Sequence, residues 1–251
     1  MKIGLFGFGK TGRAVASVLL QEQELDLQWV IRRSQQADTQ TVAEQLSIGS
    51  AHPARIYAQD TLSFIDLLQQ QPVDVIIDFS SEHGIDTYGE IAAKRGIAII
   101  SAISHYSEEK IAYLKKLAQH TVVMHSPNIT LGVNFLMMAA KILQKIAPAT
   151  DIEIIEEHFK DKPEISGTAK VIADGLDLPQ DNIKTVRAGG IIGVHEILFG
   201  FPYQTVRLKH ESIAREAFGT GILFALKNIR DKHNGFYDME SLLKPYFQAA
   251  A

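Results

Sequence analysis

Short apolar runs and longer stretches of helical spacing alternate through the first half of the chain. KIGLFG is followed by KTGRAVASVLLQEQ, and LQWVIRRS by TVAEQLSIG and TLSFIDLLQQ. PVDVIIDFS precedes GIDTYGEIAAKRG, IAIISAIS precedes SEEKIAYLKKLAQH, and TVVMHSPN closes the series. The runs are rich in Val and Ile at successive positions, which predicts strands buried on both faces. Joined through helices, such strands make a parallel sheet covered on both sides, so this half reads as α/β with a doubly wound sheet. Ligands of that arrangement bind at the carboxyl ends of the strands.

After about Asn128 the rhythm changes. GVNFLMMAAKILQKIA is one long helical stretch, DIEII reads as a strand, the charged residues after it as a strand-to-helix connection, and AKVIADGL as a short helix. VRAGGIIGVHEILFGFPYQTVRLKHES holds two strand-like runs split by FGFPYQ, which predicts an antiparallel hairpin. IAREAFGTGILFALKNIR and DMESLLKPYFQAA are two closing helices. The expectation is a dinucleotide-binding domain over residues 1–127, a smaller α+β domain over 128–215, and C-terminal helices over 216–251 that return to the first domain.

Composition narrows the function classes. A formal net charge of −4 lacks the basic excess of a nucleic-acid binder. The chain has no cysteine, which excludes disulfides and thiolate metal ligands and fits a reducing compartment. MKIGLFGFGKTGR has no long apolar core of a signal peptide, and no apolar run reaches the roughly 18–20 residues that span a bilayer. A soluble, cytoplasmic protein without a membrane partner is expected.

Gly7-Phe8-Gly9-Lys10-Thr11-Gly12 follows the first strand and opens the first helix. Glycines there permit a tight turn and close backbone approach to a pyrophosphate resting on the helix N-terminus, so these six residues are candidates for a Rossmann-like dinucleotide site. The second strand ends in Arg32 and Arg33, where an NAD-preferring site places Asp or Glu. Two guanidinium groups suit a 2′-phosphate, so NADPH is expected, with NADH the alternative. Asp78, Phe79 and Ser80 end one strand, and Ser101 to Ser104, including Ile103, end the next. Both places face the crevice of a doubly wound sheet and are candidates for nicotinamide-ribose contacts.

EEHFKDKPEISGTAK concentrates charge before a helix start. His158, Lys160 and Lys162 occupy alternate positions, which in extended chain would point to one side. Ser166, Gly167 and Thr168 then open a helix and offer N–H and hydroxyl donors. A cation beside a helix N-terminus is a receptor for a carboxylate or phosphate, and a histidine there can pass a proton near neutral pH. By contrast, RAGGIIGVHE with Arg187, and LKHES with His210, read as routine sheet segments. His52, His83, His105, His120, His125 and His233 show no metal-ligand spacing, so no metal is expected.

GFGKTGR, DFS, SPNITLGVNFL, IEIIEEHFKDK…SGTA, RAGGIIGVHE, LKHESIAREAFGTG and NGFY occur in this order. Together they resemble the 4-hydroxy-tetrahydrodipicolinate reductase (dihydrodipicolinate reductase) family. The resemblance implies a two-domain NAD(P)H-dependent enzyme of lysine and diaminopimelate biosynthesis, acting on a small dicarboxylate. It also implies a homotetramer built through the second domain's sheet. By position, it implies that His158 is the general acid and Lys162 the catalytic or substrate-binding lysine. Ser166, Gly167 and Thr168 match the loop that holds a substrate carboxylate, and Asn128 in SPN joins the cofactor residues. Phe159 stands where the family has a second histidine, at a substrate-binding position, and Ser101-Ala102-Ile103-Ser104 stands for Gly-Thr-Thr-Gly. Pro163-Glu164-Ile165 replaces the usual Asp-Ala-Pro. These departures keep two other readings open: a reductase of another imino or oxo acid, and a non-catalytic NADPH-binding protein.

Overall fold

The computed structural model describes residues 1–34, 40–61 and 63–249. Leu62 and Ala250, which fall in expected helices, lie outside the described residues. In the first half the strands are β1 (Lys2–Phe6), β2 (Asp26–Arg32), β3 (Arg55–Ala58), β4 (Val75–Asp78), β5 (Ala98–Ser101) and β6 (Val122–His125). Between them run α1 (Lys10–Leu19), α2 (Val42–Leu46), α3 (Phe64–Gln70), α4 (Gly84–Arg95) and α5 (Glu108–Leu117). There follow α6 (Leu131–Ile146), β7 (Asp151–His158), α7 (Gly167–Gly175), β8 (Ile183–Arg187), β9 (Val194–Phe201) and β10 (Gln204–Glu211). The chain closes with α8 (Glu216–Ile229), β11 (Gly235–Tyr237) and α9 (Met239–Ala249). Contacts divide it into two compact units, Met1–Ile129 with Phe218–Ala251, and Thr130–Ala217.

The first unit carries a seven-stranded sheet in the order β11-β6-β5-β4-β1-β2-β3, with every pairing parallel. Strand order reverses between β1 and β4, which is where a doubly wound sheet opens a crevice. Phe6, Trp29, Phe64 and Tyr88 form an aromatic cluster under this point, with the Phe6 and Tyr88 ring centroids 4.7 Å apart. Burying a side chain such as Phe6 contributes about 1.5–3 kcal/mol, so the last residue before the glycine turn is firmly anchored. This is the expected α/β architecture.

The second unit is built on a four-stranded sheet, β10-β9-β7-β8. β7 runs parallel to β8 and antiparallel to β9, and β9 with β10 forms the expected hairpin, pairing Phe201 with Gln204 across the turn. Alternate β7 residues are buried, Ile152, Ile154, Glu156 and His158. The apolar ones pack with Val133, Leu136 and Ala140 of α6 and Ala169, Ile172 and Ala173 of α7. β3, β8 and β11 were not legible as strands; RIYA, IKTVR and GFY are short and lack the continuous Val and Ile of the strands that were.

One expectation is corrected. The strand does not continue through the charged stretch: β7 ends at His158, and the Lys162 N–H donates to the Phe159 carbonyl at 3.1 Å, closing a turn. Alternation therefore does not relate His158, Lys160 and Lys162, and Glu156, Glu157 and His158 belong to the strand, not to the connection after it.

Candidate active site

In the first unit, the turn after β1 depends on two glycines. Gly7 has φ +95°, and a Cβ on it would lie 2.6 Å from the Phe79 backbone. A Cβ on Gly12 would lie 2.0 Å from the Gly7 carbonyl oxygen, so only glycine lets α1 pass this close. Gly9 caps α1 with no side-chain hydrogen bond, and a Cβ there would meet nothing within 4 Å. The first-turn amides of α1 have no intrahelical acceptor, and with the positive end of the helix dipole they fit a pyrophosphate. Lys10 is exposed and Thr11 half-buried in the same turn. Arg13 donates to Gln45 Oε1 and to its carbonyl, both at 3.1 Å, and its guanidinium lies 5.0 Å from the Phe8 ring centroid.

The other cofactor candidates surround this turn. Gly7 N–H donates to the Ile31 carbonyl and Phe79 N–H to the Phe6 carbonyl, so the carboxyl ends of β1, β2 and β4 meet there. Arg32 is half-buried as the last residue of β2, and Arg33 after it is exposed. The Asp78 carboxylate is wholly buried; it accepts from Ser80 N–H and Oγ at 2.7 and 2.6 Å and from the Tyr88 hydroxyl at 2.7 Å. Burial raises its pKa, against those hydrogen bonds. Its side chain is thus committed to shaping the Phe79–Ser80 turn. Ser101 Oγ shares a hydrogen bond with the Tyr106 hydroxyl, the Ile103 carbonyl is bonded to His125 Nε2, and Ser126 Oγ donates to the Asn128 carbonyl at 2.5 Å. His125, which shows no metal-ligand spacing in the sequence, is buried in this support.

The second unit gathers side chains instead. Glu156 is wholly buried on the helix-covered face of β7, two residues from His158 on the same face. Its Oε2 is bonded to His158 Nδ1 and accepts from Arg187 at 3.0 Å; its Oε1 accepts from Arg187 at 2.6 Å and from Ser166 N–H at 3.3 Å. The remaining Arg187 donors reach the carbonyls of Lys162 (3.1 Å), Val186 (2.9 Å) and Glu164 (2.9 Å). Register explains why these residues meet: His158 is opposite Arg187 across β7–β8, and Glu156 is opposite His195, which is opposite His210 across β9–β10. His195 Nε2 is 2.9 Å from Ser166 Oγ, and the His195 and His158 rings meet edge to face with centroids 5.3 Å apart.

Burial opposes the charge of Glu156, but Arg187, His158 and the Ser166 N–H outweigh it and hold the carboxyl below its ordinary pKa. Burial lowers the pKa of His158, and the carboxylate of Glu156 works in the other direction. His195 is pushed down to about 3 by burial and by the charge of its neighbours, so it is neutral. His195 Nδ1 has no hydrogen-bond partner, and a bare acceptor is easier to bury than a bare N–H donor. The Nε2–H tautomer, donating to Ser166 Oγ, is therefore preferred, and the serine's own proton is left for another acceptor.

Ser166 caps α7, yet its amide is spent on Glu156 and its hydroxyl contacts His195, so the expectation that it offers its N–H to a ligand is corrected. Gly167, exposed, and Thr168, half-buried, follow in the first turn of the helix. No ion pair among the described residues involves Lys162. Phe159 is 43% exposed beside His158. No group of three or more metal-ligating residues occurs among the described residues.

Two family models cover nearly the whole chain. One described as "Dihydrodipicolinate reductase, N-terminus" matches residues 1–129, and one described as "Dihydrodipicolinate reductase, C-terminus" matches residues 129–243. The chain belongs to the dihydrodipicolinate reductase family. It is accordingly an oxidoreductase with a nicotinamide nucleotide cofactor. The 4-hydroxy-tetrahydrodipicolinate reductase of Caldanaerobacter subterraneus subsp. tengcongensis is 33% identical over 199 residues, 70% of this chain and 78% of that one. That of Syntrophus aciditrophicus is 29% identical over 265 residues, 94% of this chain and 96% of that one. The dipicolinate-bound dihydrodipicolinate reductase from Paenisporosarcina sp. TG-14 superposes with TM-score 0.79 at 20% identity, covering 95% of this chain and 97% of that one, which shows the shared fold.

Glu156, Arg187 and His195 escaped the sequence reading of the dihydrodipicolinate reductase site. A signal was present: by strand parity Glu156 shares a face with Ile152 and Ile154, and His195 with Ile197 and Phe199. A polar residue in an apolar, inward-facing series needs a buried partner.

Proposed function

We propose that the protein reduces 4-hydroxy-tetrahydrodipicolinate to tetrahydrodipicolinate with NADPH, in lysine and diaminopimelate biosynthesis in the cytoplasm. Replacing the hydroxyl by hydrogen takes up one hydride and one proton and releases one water. A bound nicotinamide dinucleotide supplies the hydride. The proton is handled by His158, while Lys162 and the Ser166-Gly167-Thr168 helix start hold a carboxylate through one cation, a hydroxyl and the positive end of a helix dipole. The observation that carries this reading is the convergence of the His158 ring, the Lys162 carbonyl and the start of α7 on one ion pair, the buried Glu156 with the half-buried Arg187.

Arg32 and Arg33 at the end of β2 favour NADPH, because they match a 2′-phosphate and no acidic side chain takes their place for a ribose hydroxyl. Gly7 to Gly12 hold the pyrophosphate, and the Phe79–Ser80, Ser101–Ile103 and Asn128 segments border the nicotinamide end. The proposed assembly is a homotetramer through the face of the second sheet opposite α6 and α7, where Val186 is exposed.

A second reading, reduction of a monocarboxylate imine, is favoured by one observation: the exposed apolar ring of Phe159 adjoins His158. Substrate profiling separates the two. NADPH oxidation is followed with 4-hydroxy-tetrahydrodipicolinate made in place by a synthase, and with monocarboxylate imines. The dicarboxylate is expected to turn over faster; a preference for monocarboxylates would overturn the first reading.

A further inference from the structure

The most completely bonded side chains in the second unit are not those proposed to touch substrate. Glu156 accepts four hydrogen bonds although it is wholly buried. Arg187 uses all five of its guanidinium N–H donors, two on Glu156 and one each on the carbonyls of Lys162, Val186 and Glu164. A buried ion pair is no economical source of stability, since apolar residues of similar volume commonly do as well. Its distinctive product is geometry. One carboxylate touches the ring of the proton carrier and the amide at the start of α7, and its guanidinium partner grips the backbone on both sides of the Lys162–Glu164 turn.

We propose that Glu156 and Arg187 are positioning residues that lock His158 in one tautomer and tie that choice to the substrate-carboxylate cradle. An ionised carboxylate can only accept, so the His158 Nδ1 in contact with it carries a proton. Nε2 is then the only ring position left to give or take one. It lies on the Gly193 side, where a Cβ would stand just 3.1 Å away and glycine leaves room. The groups facing the ring are Glu156 on its own strand, Arg187 on β8, His195 on β9 and Lys162 on the following turn. Glu156 is the only negative charge among them. Removing that charge leaves a ring surrounded by cations and a neutral imidazole, which disfavours protonation at Nε2. The pull of Arg187 on the Lys162 and Glu164 carbonyls means that the same pair sets where the Lys162 ammonium is presented.

This inference rests on the proposed function for its kinetic consequences but not for its structural one, and the test has an arm for each. In the wild-type protein without ligand, nitrogen-proton correlation NMR of the imidazoles should show neutral His158 protonated on Nδ1. A neutral ring protonated on Nε2 would overturn the proposal without any variant having to fold. In Glu156→Gln, His158 should titrate at lower pH than in wild type, and the alkaline limb of kcat/KM should move the same way. The expected loss in kcat at pH 8 is roughly tenfold to a hundredfold. Arg187→Lys keeps the charge and loses the fork, and should raise the substrate KM more than it lowers kcat. A folded Glu156→Gln protein with an unmoved His158 titration and pH profile would reduce the pair to a structural role and refute the inference. Absence of turnover by the wild type on the dicarboxylate would instead count against the proposed substrate, with the NMR result still standing.

Discussion

In the first unit the proposed ligand groups are backbone amides at the start of α1, kept bare by Gly7, Gly9 and Gly12. In the second the proposed groups are side chains: His158 is held by a buried network that also takes the Ser166 amide, and Lys162 is placed through its backbone carbonyl. Both sites are suited to anions at a helix start. The first needs no titratable group, because a pyrophosphate only has to be held. On the proposed function, the second keeps one because a proton has to be delivered beside the anion that it holds. Backbone cradles withstand pH and are broken by sterics; side-chain networks respond to pH and are broken by charge.

That contrast can be tested at each end. The largest effect is expected from Glu156→Ala, which leaves the half-buried Arg187 guanidinium without its carboxylate and should lower stability by about 3 kcal/mol in urea unfolding, the low end for a broken buried pair. Gly12→Ala comes next: its Cβ would collide with the Gly7 carbonyl at 2.0 Å. Overpacking of that kind costs about 1–3 kcal/mol, and NADPH binding measured by fluorescence should be lost while the second unit's response to pH is kept.

Third is the pH dependence of His195. Its pKa is about 3 in the folded state against an ordinary 6.5, so between these values the unfolded chain binds the proton first. The stability due to this group is complete above about pH 6.5 and is lost as pH falls toward 3. Between pH 7 and pH 5 the loss should be about 2 kcal/mol, and His195→Gln should remove most of it in paired urea curves. The smallest effect is expected at the exposed Arg33: Arg33→Ala should raise the NADPH Kd about tenfold and leave NADH nearly unchanged, as loss of one charged hydrogen bond predicts.

The same contrast explains what could be read in the sequence. The glycine turn is contiguous, so its residues, its strand and its helix were all legible from one short stretch. The doubly wound sheet was legible because Val- and Ile-rich runs repeat between helices. The second site is assembled by register: Arg187 reaches Glu156 from β8 and His195 reaches Ser166 from β9. Spacing along the chain carries no trace of those meetings. What the sequence did hold was strand parity, which puts a glutamate and a histidine into inward-facing apolar series, and the turn after His158 defeated the simpler expectation of alternation.

The most direct measurement of the account is NADPH oxidation at 340 nm on synthase-generated 4-hydroxy-tetrahydrodipicolinate, comparing wild type with His158→Gln and Lys162→Ala. The prediction is turnover by the wild type, a loss of about 10²–10⁴ in kcat for His158→Gln, and a raised substrate KM for Lys162→Ala, with NADPH binding retained in both. Variants that turn over like the wild type would contradict the assignment of proton transfer and carboxylate binding to the second unit.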